Sequence, residues 1–549
     1  MTQTPDAVAF DRLVESFYHA WFRFHPELAV ELGVFEQAGR LTPCDSDDIG
    51  ALIALNEKLL AELETIDPEA LDADRRLDYR LLQGQATLEH HELLERDWRR
   101  RDPQRFLPLD AIHQLTLLPV PDFAAAFASR VGAVSAYLRG CRAHLLQMPE
   151  LVSPLWLETT LQAAASGAVY LRGLERHPRV QQAFRGDSSI HAALEQGAHA
   201  VEDYARFLET EIAPRAAGDF ACGRALFEER LRRQHFLPLD ADRLHAFGSR
   251  LFEETAAALK AVTRELRGDE DVAAQLAAIQ ADHPAPEELL DCYRTQMRAA
   301  RRFLVERELI SLPQAETLEV METPPFLRPQ IPFAAYLPPV PGDPRQTGHY
   351  YVTPARDAAS LGEHNHLALK HTCVHEAWPG HHLQFVTANL TPSARSWPRL
   401  VNASATLYEG WALYAEQLMQ EQGFLAGPES RFLLLRDRLW RALRIQLDVE
   451  LHCRGLTLEA AAGRMQQALG FVREQALDEL RWYTRAPTVP MGYATGWALI
   501  NAAREQSAGG LRAFHDRLLS AGSPALPLVL ERVFGTALRD AVQATLFDG

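Results

Sequence analysis

Two-thirds of the way along the chain, the segment KHTCVHEAWPGHHLQ carries the residue types of a zinc-hydrolase site in an altered arrangement. Zinc proteases use the helical pattern H-E-x-x-H, in which both histidines bind the metal and the glutamate acts as a base. His375 and Glu376 fit the first half of this pattern, but Pro379 stands where the second histidine belongs. The next histidines are His381 and His382. The segment is therefore either a metal site with altered spacing or a histidine-rich helix end that binds no metal.

The spacing of these histidines does not suit a metal site on a regular helix. On such a helix His381 would be rotated by ~240° from His375, whereas His382 would share its face but lie ~10 Å further along the axis. Neither position suits one zinc ion, whose nitrogen ligands each approach to about 2.1 Å. The histidines are nevertheless a local excess, since six of the chain's 21 fall between residues 364 and 382.

A break in the helix would change this geometry. Pro379 lacks the backbone donor that a helix needs, and Gly380 accepts unusual dihedral angles. We therefore predict a bulge or kink at these two residues that brings His381 back towards His375. A regular pair formed by His371 and His375 is the competing arrangement.

The composition is that of an ordinary globular protein, with 549 residues, 47% hydrophobic and 23% charged. A net charge of −17 argues against nucleic acid and anionic membranes as main partners. The first residues are typical of a capped amphipathic helix, and no apolar run approaches the ~18 residues of a membrane span. The six scattered cysteines predict a reduced, cytoplasmic protein in which they fill the core.

Helical periodicity dominates the chain, so we predict a mainly α, multi-helix fold. Residues 322–355 are rich in proline, glycine and aromatic residues, and there we expect a small sheet or hairpin beside a central cleft. The stretch GHYYVTP within it is a candidate edge strand for an extended peptide, or else part of a structural hairpin. A boundary near residue 218 predicts an N-terminal helical lobe, 1–217, and a metal-site lobe, 218–549, with one continuous domain as the alternative.

Two strong helices follow the histidine segment. ASATLYEGWALYAEQLMQEQG predicts a helix capped by Gly423, and RDRLWRALRIQLDVELHCRG predicts one that ends at Gly455. On the second helix, Arg444, Asp448 and His452 are spaced four residues apart and share a face. These three residues form either a surface ion pair with a neighbouring histidine or one wall of a binding site.

The histidine segment resembles a known family. HEAWPGHHLQ is similar to the H-E-x-x-P-G-H-H-x-Q signature of the DUF885 family, and blocks such as HPELAVELGV and YEGWALYAEQL follow in the family's order. The resemblance implies a bacterial, largely helical, zincin-like protein related to metallopeptidases. The segment also resembles the HEAGH helix of helical carboxypeptidases with two residues inserted before Gly380. That comparison favours His381 as the second ligand and leaves His382 as the alternative.

The resemblance also implies the rest of a metal site. Glu409 corresponds to the third ligand of one zinc ion per chain, and Glu416 would orient a ligand histidine. A water would occupy the open fourth position, and Glu376 would take its proton. The alternative is that Glu409 and Glu416 bind neither a metal nor a ligand histidine and are ordinary surface charges.

Another block, RWYTRAPTVPMGYATGW, resembles the family pattern R-Y-x-x-x-P-G-Q-x-x-x-Y-x-x-G. Tyr493 is the candidate donor to the oxyanion, with a buried structural tyrosine as the alternative. Thr488 and Val489 replace the family's Gly-Gln, and Trp482 replaces an arginine, so specificity or activity is expected to differ. The resemblance places Arg444 and its two helical neighbours on a cleft wall, where an arginine would bind a peptide carboxylate.

These features together predict a zinc-dependent hydrolase that cleaves amide bonds in short peptides or peptide-like molecules. One alternative is a metallohydrolase of a non-peptide amide or ester that uses the same residues. The other is a non-catalytic helical binding protein with a degenerate metal site.

Overall fold

The computed structural model describes residues 4–328, 331 and 333–548. By its internal contacts the chain divides into two compact units. One contains Met1–Phe220 and Pro324–Gln330, and the other contains Ala221–Thr323 and Ile331–Gly549. The boundary predicted from the sequence lies between residues 217 and 218.

The first unit is helical throughout its described part. Its α-helices are α1 (Pro5–Trp21), α2 (Pro26–Glu31), α3 (Ser46–Leu63), α4 (Ala73–Glu95), α5 (Leu109–Leu117), α6 (Phe123–Gln147), α7 (Pro154–Gly173), α8 (Pro178–Ala183) and α9 (Ser188–Phe207). Proline occupies the first helical position of α1, α2, α7 and α8, where no backbone donor is needed. Aspartate caps the start of α3, α4, α6 and α9 by accepting a backbone hydrogen bond.

The second unit contains the remaining helices. These are α10 (Arg224–Arg233), α11 (Ala241–Arg267), α12 (Val272–Gln280), α13 (Leu289–Arg307), α14 (Ala358–Glu363), α15 (His366–Glu376), α16 (His381–Leu390), α17 (Trp397–Val401), α18 (Ala405–Glu421), α19 (Pro428–Cys453), α20 (Leu458–Leu469), α21 (Arg473–Tyr483), α22 (Gly492–Gln506), α23 (Leu511–Leu519), α24 (Leu526–Phe534) and α25 (Thr536–Phe547). Helix α11 packs along α19, α18 packs against α22, and α15 packs against α13 and α18. Helices α15 and α18 are therefore interior elements of this unit.

A small three-stranded sheet accompanies these helices in the second unit. Its strands are β1 (Thr317–Glu322), β2 (Ala334–Leu337) and β3 (Thr347–Val352), in the order β1-β3-β2. Strand β3 pairs parallel with β1 and antiparallel with β2. Of the two interpretations of GHYYVTP, the edge strand is wrong, because β3 is paired on both sides and β1 and β2 lie at the edges. The structural hairpin fits, because β2 and β3 are consecutive antiparallel strands.

The predicted mainly α fold with a small sheet is confirmed. The two predicted helix ends are also confirmed, because Gly423 and Gly455 follow α18 and α19 with φ values of 87° and 66°. These left-handed values favour glycine at helix ends. None of the helices in the described part of the chain is both long and apolar enough to cross a membrane.

Candidate metal site

A break between two helices shapes the histidine segment. Helix α15 ends at Glu376 and α16 begins at His381, so the segment does not form one regular helix. In the intervening turn, the Gly380 N–H donates to the Val374 carbonyl oxygen at 3.0 Å. A Cβ atom at Gly380 would lie 1.7 Å from the carbonyl oxygen of His375, so only glycine fits. The predicted kink is confirmed.

This turn brings three side chains from three helices together. One ligand atom from each of His375, His381 and Glu409 lies within 4.8 Å of the other two. Glu409 Oε2 is 3.5 Å from His375 Nε2 and 3.3 Å from His381 Nε2. No more than 12% of any of these three side chains is exposed. The three residues are called the ligand group below.

The ligand group fits a zinc ion by its chemistry. Glu409 Oε2 is fully buried and accepts no hydrogen bond of ordinary geometry from the described residues, although two imidazoles face it. Burial raises the pKa of the Glu409 carboxyl, but the nearby His381 and His375 lower it overall, so Glu409 is a carboxylate. Two imidazole nitrogens and one carboxylate oxygen are the protein ligands of many catalytic zinc sites. The orphaned oxygen would gain a partner in the metal.

Glu416 binds the second ring nitrogen of His375, the one that does not face Glu409. Its Oε1 accepts a hydrogen bond from His375 Nδ1 at 2.7 Å, which leaves Nε2 free to face Glu409. Its Oε2 lies 3.6 Å from His371 Nδ1, and His371 Nε2 contacts Ser430 Oγ at 2.7 Å. The structure thus places His371 with Glu416 and Ser430 rather than in the ligand group.

We expect Glu416→Ala to weaken zinc binding by about 10- to 100-fold, because the hydrogen bond that fixes the His375 ring is lost. Competition with a chromophoric chelator measures the affinity. Glu421→Ala, an exposed position at the end of the same helix, is the matched control and should bind zinc as the wild type does. Equal zinc affinity in Glu416→Ala and wild type would contradict the orienting role.

His382 lies outside the ligand group. Its Nδ1 accepts a hydrogen bond from the Tyr336 hydroxyl at 3.0 Å, and its Nε2 donates to Glu316 Oε2 at 3.1 Å. Both ring nitrogens are therefore used. The Tyr336 ring lies nearly parallel to the His381 ring, with centroids 6.2 Å apart. His382 thus anchors the tyrosine of strand β2 beside a ligand of the group.

Glu376, the candidate base, follows His375 at the end of α15 and is partly exposed. Burial raises the pKa of its carboxyl, and the neighbouring imidazoles of His381 and His375 oppose that rise. A carboxyl with a raised pKa is a stronger base than an ordinary surface glutamate. Its position beside the ligand group suits proton transfer from a water held there.

Tyr493 reaches the same group from α22. Burial and then the charge of Glu409 raise the pKa of its phenol well above the ordinary value. The hydroxyl is therefore protonated and can act as a donor. The Arg444 guanidinium carbon lies 4.4 Å from the centroid of the Tyr493 ring, which holds the ring by a cation–π contact.

Two glycines allow α22 to approach α18 this closely. A Cβ atom at Gly410 would lie 2.5 Å from the backbone carbon of Gly496. A Cβ atom at Gly496 would lie 2.0 Å from the carbonyl oxygen of Thr406. The crossing sets the separation between Tyr493 and Glu409, which these two helices carry.

Arg444 is buried with its own set of partners. Its Nε donates to the Tyr483 hydroxyl at 2.7 Å, and its Nη2 pairs with Glu479 at 3.1 Å. Only 5% of its side chain is exposed. This placement favours a role in positioning Tyr493 over the expected contact with a substrate carboxylate.

Asp448 and His452 lie inside the unit and bind backbone groups. Asp448 accepts hydrogen bonds from the N–H groups of Thr488 and Met491, each at 3.2 Å. His452 Nδ1 accepts from the Cys222 N–H, and its Nε2 donates to the Tyr483 carbonyl. The structure therefore corrects their assignment to substrate binding. The shared helix face packs onto residues 483–491, and its polar atoms are used there.

Thr488, which stands where the family pattern has glycine, has an unusual backbone angle and a buried hydroxyl. Its φ of 69° lies in the left-handed region, which favours the glycine of the family pattern. His235 Nε2 donates to the Thr488 hydroxyl at 3.0 Å, and His235 Nδ1 accepts from Ser404 at the cap of α18. The Thr488 hydroxyl therefore makes a buried hydrogen bond with His235, which a glycine at this position could not make.

Sequence reasoning missed Glu316, Tyr336 and His235. Tyr336 lies in the β-prone stretch AAYLPP, which signalled a strand but not its position beside His381. Glu316 and His235 reach their partners across 66 and 253 residues, and no local pattern marks such pairs.

Comparisons with known proteins identify the family. A family model described as "Bacterial protein of unknown function (DUF885)" matches residues 26–533. The fold is similar to a "putative lipoprotein of unknown function" from Shewanella oneidensis (TM-score 0.74, 20% identity, covering 95% of this chain and 98% of that one). It is also similar to a "putative lipoprotein" from Colwellia psychrerythraea (TM-score 0.76, 18% identity, covering 98% of this chain and 100% of that one). Among curated proteins, no sequence matches this chain. Since the family model spans most of its length, the chain belongs to the DUF885 family.

Proposed function

We propose that this protein is a zinc-dependent hydrolase that cleaves amide bonds in short peptides or peptide-like molecules. One observation carries the proposal: His375, His381 and Glu409 converge within 4.8 Å, with Glu376 adjacent to the first of them. The two histidines and Glu409 are the residues that would hold one zinc ion per chain. A closed structural site has four protein ligands, whereas three leave a position for water.

Zinc in this position supplies an acidified water and a Lewis acid for the carbonyl oxygen. Glu376 removes a proton from the attacking water and then delivers it to the leaving amine nitrogen. Tyr493 donates its hydroxyl hydrogen to the carbonyl oxygen as negative charge develops there. Glu416 keeps His375 in one ring orientation throughout, because its carboxylate holds Nδ1.

Strand β2 gives the substrate a place to align. It is an edge strand, and its Tyr336 packs beside His381. An extended peptide pairs with a free strand edge through backbone hydrogen bonds, which favours peptides over amides without a peptide backbone. We also propose a cytoplasmic location on the basis of the sequence; the word "lipoprotein" in the descriptions of the two similar structures applies to those proteins.

Metal content tests the proposal directly. We expect about one zinc per chain in protein purified without chelator or metal-affinity resin, and loss of that zinc in Glu409→Ala. Elemental mass spectrometry measures both, and Glu421→Ala is the matched control on the same helix. If wild type takes up no zinc even after incubation with the metal, the hydrolase is excluded in favour of a binding protein.

A further inference from the structure

Two cysteines of the first unit meet in space although 97 residues separate them in the chain. The Sγ atoms of Cys44 and Cys141 are 3.5 Å apart. Cys44 precedes α3 and is partly exposed, whereas Cys141 lies on α6 and is buried. The sequence alone does not indicate this pair, because the two cysteines are far apart along the chain. The expectation that the cysteines fill the core therefore does not describe Cys44 and Cys141 fully.

The backbone around Cys44 is held in place by arginines. Arg99 Nη1 donates to the carbonyl oxygen of Cys44 at 3.0 Å. Arg130 of α6 donates through Nε to the carbonyl oxygen of Arg40 at 2.9 Å. The first bond ties Cys44 to residues 98–100, and the second ties the segment before α3 to α6. Both bonds restrain the segment that carries Cys44.

We propose that Cys44 and Cys141 are a disulfide-forming site that reacts with small-molecule disulfides. In the first step the Cys44 thiolate attacks one sulfur of the reagent, forming a mixed disulfide and releasing a thiolate that takes up a proton from water. In the second step Cys141 attacks the Cys44 sulfur, and the second reagent thiol leaves with the Cys141 proton. The protein loses two electrons and two protons, and the reagent disulfide becomes two thiols.

The two thiols are suited to different steps. The hydrogen bond with Cys141 and the charge of Arg99 lower the pKa of the Cys44 thiol. Burial raises the pKa of the Cys141 thiol. The partly exposed Cys44 therefore meets the reagent first, and the buried Cys141 completes the bond. In a reducing cytoplasm the pair stays as two thiols, and in an oxidising compartment it closes.

The bond would close a long loop across the first unit, from the segment before α3 to α6. Closing a loop of about 100 residues restricts the unfolded chain strongly. We therefore expect the oxidised protein to unfold several degrees higher than the reduced protein. That shift should disappear in Cys141→Ser.

The test treats the full-length, reduced protein with oxidised glutathione, blocks the remaining thiols with an alkylating reagent and maps the peptides by mass spectrometry. We expect a linked peptide pair containing Cys44 and Cys141. Cys141→Ser should stop at one glutathione on Cys44, and Cys44→Ser should leave Cys141 free. Cys292→Ser and Cys453→Ser, at partly exposed cysteines elsewhere, are controls that should still form the link.

Three results would overturn the inference. One is the absence of the linked peptide after prolonged treatment of folded protein. Another is a linked peptide that joins other cysteines instead. The third is formation of the link only in denaturant, since that would show chemistry of the unfolded chain.

Discussion

Replacing Glu376 by glutamine is expected to reduce amide hydrolysis by about 100- to 10,000-fold while zinc stays bound. Glutamine keeps the size of the side chain but cannot accept and return a proton. The ligand group does not include Glu376, so zinc content should match that of the wild type. The substrate probe is a mixture of short peptides and acyl amides, with products followed by mass spectrometry.

Glu376→Asp separates the base role from simple disturbance of the turn. Aspartate keeps a carboxylate but withdraws it by one methylene, so we expect a rate between those of wild type and glutamine. Glu421→Gln, made on the exposed end of α18, is the matched control and should hydrolyse the mixture at the wild-type rate. Wild-type hydrolysis in Glu376→Gln at equal zinc content would exclude this mechanism.

The same peptide mixture distinguishes the remaining substrate alternative. Hydrolysis of peptides but not of acyl amides would support alignment along β2, since only peptides carry the backbone groups that pair with a strand edge. Hydrolysis of acyl amides alone, lost in Glu376→Gln, would keep the catalytic site and replace the substrate class.

The helical frame was predictable from the sequence because its signals are local. Apolar periodicity and the glycines after α18 and α19 marked those helices correctly. Strand β1 was missed because six residues of alternating character are too few to stand out in a helical chain. The central position of β3 was also missed, since pairing order depends on contacts between segments far apart in sequence.

The candidate site was predictable in its residue types but not in its arrangement. Pro379 and Gly380 indicated a break, and the structure places His381 rather than His382 at the ligand group. Spacing along α19 correctly placed Arg444, Asp448 and His452 on one face. Spacing alone does not tell whether a polar face meets solvent or buried backbone groups, and here it meets residues 483–491.

The glycine crossing between α18 and α22 supports this site and gives the largest expected effect on stability. We expect Gly496→Ala to lower the free energy of unfolding by about 3 kcal/mol, because overpacking a close backbone contact forces the helices apart. The added Cβ would meet the Thr406 carbonyl oxygen at 2.0 Å, and backbone atoms cannot rotate away as a side chain can. Denaturant unfolding followed by circular dichroism measures the loss.

Gly463→Ala is the matched control, since it makes the same change in a helix of the same unit. Gly463 is exposed on α20, and a Cβ there meets nothing within 4 Å. Alanine should therefore stabilise this helix by about 0.5–1 kcal/mol. Equal effects of the two substitutions would contradict the close crossing. In Gly496→Ala protein that remains folded, hydrolysis should fall more than zinc binding, because Tyr493 moves with α22 while all three ligands lie on other helices.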